Sequence, residues 1–306
     1  MGKIAFVFSG QGAQYPGMGK SLHDASDAAA EMYKYADSIR EGTSAQSFEG
    51  TPEELKETKN TQPCLYLVDL CAALALNEKG IHADVVAGFS LGEIAALAYA
   101  GVYCAQKGFE LVCRRGECMQ KAAKQFDTAM AAVIKTDSRS VENLCAGIGE
   151  IYPVNYNSPE QTVVAGTKEA IAKFKEKAAK LPCKVIDLAV GAAFHSPFMD
   201  GAAAEFAEEI DKTEFSCPQI PVYANLSALP YGENIKETLK MQINHPVKWS
   251  DAVQNMINNG VDTFIEVGAG KTLSGLIKKI SKDVLIYNVE DAETLISTCE
   301  AVKNNA

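Results

Sequence analysis

Asp84-Val85-Val86-Ala87-Gly88-Phe89-Ser90-Leu91-Gly92-Glu93 holds a short apolar run, a turn flanked by two glycines, and the start of a run of small residues. Read in order, that is strand, sharp turn, helix. The Gly88-x-Ser90-x-Gly92 spacing suits an elbow that carries a serine on a strained strand-to-helix turn. Glycines on either side tolerate the tight backbone, and the helix N-terminus aims amide donors at an incoming acyl oxygen. The same pentapeptide also fits an ordinary turn in which serine caps the following helix. Its place between an apolar strand and a small-residue helix favours the nucleophile.

Upstream, Lys3-Ile4-Ala5-Phe6-Val7-Phe8 is a continuous apolar run ending in Ser9-Gly10-Gln11-Gly12-Ala13-Gln14, which predicts a buried strand feeding a functional turn. Thr51-Pro52-Glu53-Glu54 predicts a helix start: Thr51 caps, Pro52 takes the first helical position and Glu54 completes a capping box. Apolar spacing from Cys64 to Leu76 predicts a long helix ending near Gly80. Downstream the texture changes. Strands are predicted at 129–134, 151–156, 161–166 and 184–190, with helices at 138–148 and 168–180, the βαββαβ order of a ferredoxin-like unit. Strands near 221–225, 262–267 and 284–288 then resume the α/β alternation. The expected fold is α/β: a mostly parallel sheet forming a body of residues 1–125 and 194–306, with a ferredoxin-like subdomain inserted at 126–193.

The 306 residues are 47% apolar and 22% charged, the balance of a globular protein able to bury about three quarters of its extended surface without disulfides or metals. A net charge of −10 argues against nucleic acid and anionic membranes as partners. It does not exclude a small anionic substrate, because screening over about 8 Å lets a local basic pocket persist. Nine cysteines without a Cys-x-x-Cys pair read as thiols in a reducing cytoplasm, and no stretch approaches the roughly 18 apolar residues of a membrane span. No signal-peptide layout opens the chain, so a cytoplasmic location is expected.

Two motifs fail. Gly268-Ala269-Gly270-Lys271-Thr272 lacks the glycine five positions before its Gly-Lys pair, where Ile265 stands, so a phosphate loop is set aside. Gly10-x-Gly12 has Tyr15 where a dinucleotide fingerprint needs a third glycine. A serine nucleophile needs a base near neutrality, normally histidine, and the chain has four. His23 and His82 lie in polar stretches that read as surface, and His245 precedes Pro246 and reads as a structural loop residue. His195, in Ala193-Phe194-His195-Ser196-Pro197, sits where the inserted unit returns to the body and is well placed to face a cleft; a satisfied core histidine is its alternative reading.

These motifs together resemble the malonyl-CoA:acyl carrier protein transacylases. The resemblance runs along almost the whole chain. It is carried by Phe8-Ser9-Gly10-Gln11-Gly12-Ala13-Gln14 with Gly17-Met18-Gly19, Asn60-Thr61-Gln62-Pro63, the Gly88–Glu93 elbow, Arg115-Gly116 with Met119-Gln120, and Asn155-Tyr156-Asn157-Ser158-Pro159. Phe194-His195-Ser196-Pro197, Pro246-Val247-Lys248-Trp249 and Glu266-Val267-Gly268-Ala269-Gly270-Lys271 extend it. The resemblance implies an α/β-hydrolase-like core with the inserted subdomain. It also implies Ser90 as nucleophile, His195 as base, a backbone carbonyl of Gln242 as the group that orients the histidine, and the N–H groups of Gln11 and Leu91 as an oxyanion hole. Arg115 would bind the free carboxylate of a malonyl group, for which a guanidinium offers a two-pronged match that lysine cannot. Where the family usually has histidine this chain has Phe89, beside the acyl pocket, while Phe194 matches the malonyl-preferring form of its motif. Ala269 stands where proline is common.

The implied reaction is ping-pong transfer of malonyl from malonyl-CoA, through an ester on Ser90, to the phosphopantetheine thiol of acyl carrier protein, supplying fatty acid synthesis. No cofactor is implied, and a monomer is expected. A serine thioesterase or esterase would share the elbow but have no need of Arg115. A non-catalytic carrier-binding scaffold would not need Ser90, His195 and Gln11 together, and a polyketide acyltransferase would share every motif. Lys271, Lys278 and Lys282 fall at i, i+7 and i+11, so a helix there would present them on one face, either as a dock for an acidic carrier or as a solvated surface.

Overall fold

The computed structural model describes residues 2–190 and 192–305. Nine strands are present among them: β1 (Lys3–Phe8), β2 (Val85–Gly88), β3 (Thr128–Ile134), β4 (Ile151–Ser158), β5 (Gln161–Thr167), β6 (Lys184–Asp187), β7 (Val222–Tyr223), β8 (Val261–Val267) and β9 (Leu285–Val289). They form two sheets. One is parallel throughout, in the order β7-β2-β1-β8-β9, and the other is antiparallel, in the order β4-β5-β3-β6.

The apolar run 3–8 is continuous because β1 is covered on both faces. Side chains alternate along a strand, and Ile4, Phe6 and Phe8 enter one core with the helix Thr58–Glu78, while Ala5 and Val7 enter a second with Trp249 and Phe264. The helix Thr58–Glu78 is buried almost all round, which explains why its sequence shows weak amphipathic patterning. The Thr51 capping box forms as expected, but it opens a separate short helix, Pro52–Lys56, ahead of the long one.

Register decides where function can sit. Phe8 pairs with Gly88 on one side and with Val267 on the other, so the loops after β1, β2 and β8 leave the sheet at one edge. The chain moves outward from β1 through β2 to β7, then crosses back to β8 on the far side of β1. A crevice therefore opens at the carboxyl end of β1, the usual ligand position in open α/β sheets.

The antiparallel sheet has the strand order of a ferredoxin-like unit. One of its faces packs Val133, Ile151 and Val164 against Val141, Ile171 and Phe174 from its own two helices, Ser138–Ala146 and Lys168–Ala178. The other face turns Met130, Ala132, Val163 and Ala165 into the core shared with β1. Asn155 bridges to Val247, and the Tyr156 N–H donates to the Val247 carbonyl at 2.9 Å, so β4 is stitched to the segment that precedes Trp249. This sheet walls one side of the crevice.

Two sequence expectations change. β6 ends at Asp187, and the residues expected to extend it, Leu188 and Val190, instead line the crevice. The helix carrying the three lysines spans Thr272–Ile280, so Lys271 caps it and Lys282 lies beyond it, after Ser281 turns extended; the three do not share a helical face. The helix starting at Gly270-Lys271-Thr272 also cannot hold a phosphate at its N-terminus, because the Glu266 carboxylate already accepts from Leu273 N–H at 2.9 Å and Ser274 N–H at 2.6 Å. Among the described residues no helix is long and apolar enough to cross a membrane.

Candidate active site

The elbow is built by two glycines that admit no side chain. A Cβ on Gly88 would lie 1.9 Å from the Gly92 carbonyl carbon, and one on Gly92 would lie 2.3 Å from the Phe8 carbonyl oxygen. Between them Ser90 is held at φ 53°, ψ −102°, ahead of the helix Leu91–Tyr99. It occupies the cap position, yet its side chain makes no capping bond. The hydroxyl is turned into the crevice instead. Of five non-glycine residues at positive φ among those described, two are Ser90 and His195 (φ 60°), each at a cost of about 1–3 kcal/mol that tertiary contacts must overcome.

His195 Nε2 lies 2.7 Å from Ser90 Oγ, across 105 residues of chain. Its other ring nitrogen faces two carbonyls, Gln242 at 2.9 Å and His245 at 3.2 Å. Carbonyls only accept, so Nδ1 carries the proton and Nε2 is left to accept from the serine. His245, read from the sequence as a structural loop residue, thus lends its backbone carbonyl to His195. His82 is exposed, and His23 packs edge-on against Tyr33 and Phe48. Burial, and next the nearby Arg115 cation, push His195 down to about 4. Its neutral form is the base, so the base is available at every pH above that value. The reaction of Ser90 with an uncharged serine-directed phosphonate is therefore expected to hold its rate from pH 8 to pH 5 and fall only towards pH 4; a fall centred on 6.5 would show an unperturbed imidazole.

Arg115 is the residue whose placement the sequence pattern could not give. It is 0% exposed, on the helix Ala105–Ala123. Its Nη1 donates to Gln62 Oε1 at 2.8 Å, and its Nη2 donates to Gln242 Oε1 at 2.8 Å and to Ser90 Oγ at 3.1 Å. Its Nε has no partner, and among the described residues no carboxylate pairs with it. Desolvation lowers it to about 10, so it stays a cation near neutrality. A buried guanidinium without a counter-ion, beside a nucleophile, is a socket for an anionic group brought by a ligand.

Gln242 does two jobs. Its carbonyl holds His195, while its side-chain Nε2 donates to the Ser90 carbonyl at 2.6 Å and to Glu93 Oε2 at 2.8 Å. Asn225 fixes the elbow from the other side, accepting from Ser90 N–H at 2.7 Å and donating to the Gly88 carbonyl at 2.6 Å. Gln62, Glu93, Asn225 and Tyr231 had no assigned role from sequence. Glu93 alone left a signal there: it is the only charged residue in an otherwise small and apolar helix.

Gln11 stands in the loop after β1, and its Nε2 donates to Thr58 Oγ1 at 3.3 Å. Beneath that loop Ser9 Oγ donates to the buried Asp69 at 2.6 Å. Leu91 is the first helical residue, whose N–H has no acceptor within the helix. Gln11 and Phe194 share with Ser90 and His195 a cavity of about 90 Å³, on which Phe89 also borders. Phe89 stands edge-on to Trp249 at 5.6 Å between centroids, an apolar filling at the position where the resemblance notes a usual histidine. A neighbouring cavity of about 240 Å³ runs from Gln11 and Phe89 past Asn155 and Asn157, whose Oδ1 atoms are buried and unpartnered. The arrangement places a general base and a buried cation within hydrogen-bond distance of one serine hydroxyl.

A sequence model of the acyl transferase domain matches residues 5–300. The chain is 37% identical to the malonyl CoA-acyl carrier protein transacylase of Bacillus subtilis, over all of both chains. With the enzyme of that name from Synechocystis it shares 35%, over 96% of this chain and 99% of the relative. The fold superposes on the solved malonyl CoA-acyl carrier protein transacylase of Clostridium perfringens with a TM-score of 0.95, at 34% identity, covering 99% of this chain and 98% of that one. It also superposes, with a TM-score of 0.93 at 33% identity, on a malonyl-transacylase solved in complex with a type II PKS acyl-carrier protein, covering 98% of this chain and 99% of that one.

Proposed function

Because the chain belongs to the malonyl CoA-acyl carrier protein transacylases of the acyl transferase domain family, we propose that it moves malonyl from coenzyme A to a carrier thiol in two half-reactions on Ser90. In the first, His195 Nε2 takes the Ser90 proton, Oγ bonds to the thioester carbonyl carbon, and the carbon–sulfur bond breaks. The coenzyme A thiolate leaves with the proton from His195. In the second, the phosphopantetheine thiol gives its proton to His195 and its sulfur attacks the serine ester. Ser90 then leaves and recovers the proton. Thioester and ester exchange without any change of oxidation state, so no cofactor takes part.

The N–H groups of Gln11 and Leu91 receive the oxyanion in both halves, each such donor contributing about 3 kcal/mol to the transition state. No acidic third member is needed, because the Gln242 and His245 carbonyls already fix the tautomer of His195. The cavity past Asn155 and Asn157 would take the pantetheine arm, with its amide N–H groups meeting the two unpartnered oxygens. Water kept from the ester makes transfer outrun hydrolysis, which is what the inserted sheet over the crevice would provide.

The observation that carries this reading is Arg115, buried, without a carboxylate partner and 3.1 Å from the nucleophile. A hydrolase acting on uncharged esters has no use for it. Incubating the protein with malonyl-CoA and a phosphopantetheinylated carrier should give malonyl-carrier by intact mass, with coenzyme A release beyond one equivalent only when the carrier is present. Release of free malonate at the same rate without a carrier would instead make it a thioesterase. The complex of a relative with a type II PKS carrier supports a second reading, supply of a polyketide assembly line. Comparing a fatty-acid carrier with a polyketide carrier in the same assay separates the two, and the former is expected to turn over faster.

A further inference from the structure

Glu93 is fully buried in the first turn of the helix that follows the nucleophile, among the apolar Ile94, Ala95, Ala96 and Leu97. A carboxyl in such a place requires donors. Oε1 accepts from Asn225 N–H at 2.9 Å and from the Tyr231 hydroxyl at 2.7 Å, and Oε2 accepts from Gln242 Nε2 at 2.8 Å. All three donors are neutral. The same Gln242 nitrogen donates its other proton to the Ser90 carbonyl. With both amide protons committed to acceptors, the amide oxygen must face the opposite way, towards Arg115 Nη2. If the amide turned over, its NH₂ would meet the guanidinium, and donor would face donor.

We propose that Glu93, as an anion, is a positioning residue for acyl selectivity: it locks the Gln242 amide so that its oxygen holds Arg115 over Ser90, and thereby sets the preference for carboxylate-bearing acyl groups over uncharged ones. This rests on the reading of Arg115 as the ligand of the acyl carboxylate.

Protonation should reverse the lock. A neutral Glu93 brings a hydroxyl proton to the cluster and loses the charge that fixes Gln242. Burial raises its carboxyl to about 7, against the pull of Tyr231, Asn225, Gln242 and Arg115. The other ionisable groups facing it are Arg115, Tyr103 and Tyr231. Burial lowers Arg115 only to about 10 and raises both tyrosines well above their ordinary value. His195, across Ser90, titrates near 4. Between pH 6 and 8, Glu93 is therefore the group of this cluster that changes charge. It is ionised on the alkaline side, so the KM for malonyl-CoA should rise as the pH falls from 8 to 6, while kinetics with acetyl-CoA, which has no carboxylate to place, stay level.

The test compares malonyl-CoA with acetyl-CoA as acyl donor in steady-state transfer to carrier. Glu93→Gln is expected to lower the malonyl-to-acetyl ratio of kcat/KM at least tenfold, chiefly through the malonyl KM, and to remove its pH dependence between 6 and 8. Tyr231→Phe, which takes one donor from the carboxylate, should move the inflection to higher pH. An equal loss on both donors in Glu93→Gln, or an unmoved inflection in Tyr231→Phe, overturns the proposal; if the first variant does not fold, the second decides alone. Arg115→Ala serves as the control. A ratio unchanged in that variant means that Arg115 is not the carboxylate ligand, whereas a ratio that falls there but holds in Glu93→Gln refutes the role of Glu93 alone.

Discussion

Replacing His195 with alanine is expected to lower malonyl transfer on the order of 10⁴- to 10⁶-fold, the range in which loss of a serine's base places comparable enzymes. The loss should appear in kcat. Ser90 Oγ without Nε2 at 2.7 Å faces only Arg115 Nη2, a donor that cannot take a proton. Folding should survive, because the imidazole contacts are a serine hydroxyl and two carbonyls, while the His195 backbone N–H still donates to the Ile243 carbonyl at 3.1 Å. Unchanged malonyl-CoA binding, measured calorimetrically alongside the kinetic loss, would place the defect in chemistry. A variant that retained a tenth of the wild-type kcat would show that another group acts as base.

The second large effect concerns Arg115→Ala. Removing one partner of a buried charge pair costs about 3–5 kcal/mol, a factor of roughly 10² to 5 × 10³ at room temperature. That factor should fall on kcat/KM for malonyl-CoA, because the substrate carboxylate is then left in a dry site without its cation. Acetyl-CoA brings no carboxylate and should be used at least as well as before. The Arg115→Lys variant should not rescue malonyl transfer. A lysine ammonium is a point charge, while the guanidinium donates at once to Gln62, Gln242 and Ser90 from one rigid plane. Equal losses with both acyl donors would mean that Arg115 supports the fold and does not read the acyl group.

How much of this was legible in the chain differs residue by residue. The parallel sheet and the βαββαβ insertion followed from apolar runs and glycine punctuation, since those patterns are local consequences of burial on one face or two. Ser90 was legible for the same reason: the elbow lies within five residues, and its two glycines are demanded by backbone atoms that a Cβ would meet at 1.9 and 2.3 Å. His195 could be picked out because four histidines are few enough to sift. Arg115 and Gln242 were reached only through family resemblance, for nothing within their own helices or turns distinguishes them.

Asn225, Tyr231 and the contacts of Glu93 escaped both routes. Asn225 and Tyr231 meet Glu93 across 132 and 138 residues, and Gln242 meets it across 149, distances over which periodicity carries no information. A lone charged residue in a small apolar helix was the available clue. The lysine face failed for the converse reason. Spacing at i, i+7 and i+11 assumes one uninterrupted helix, and the chain leaves the helix at Ile280 before the third lysine is reached.

The proposed reaction requires a covalent malonyl ester on Ser90, which intact-mass measurement of the protein after brief mixing with malonyl-CoA, without carrier, detects. The expected result is one malonyl group on the wild-type chain, discharged when phosphopantetheinylated carrier is added, and none on Ser90→Ala. A malonyl adduct of equal occupancy on Ser90→Ala, or undiminished transfer by that variant, would contradict it.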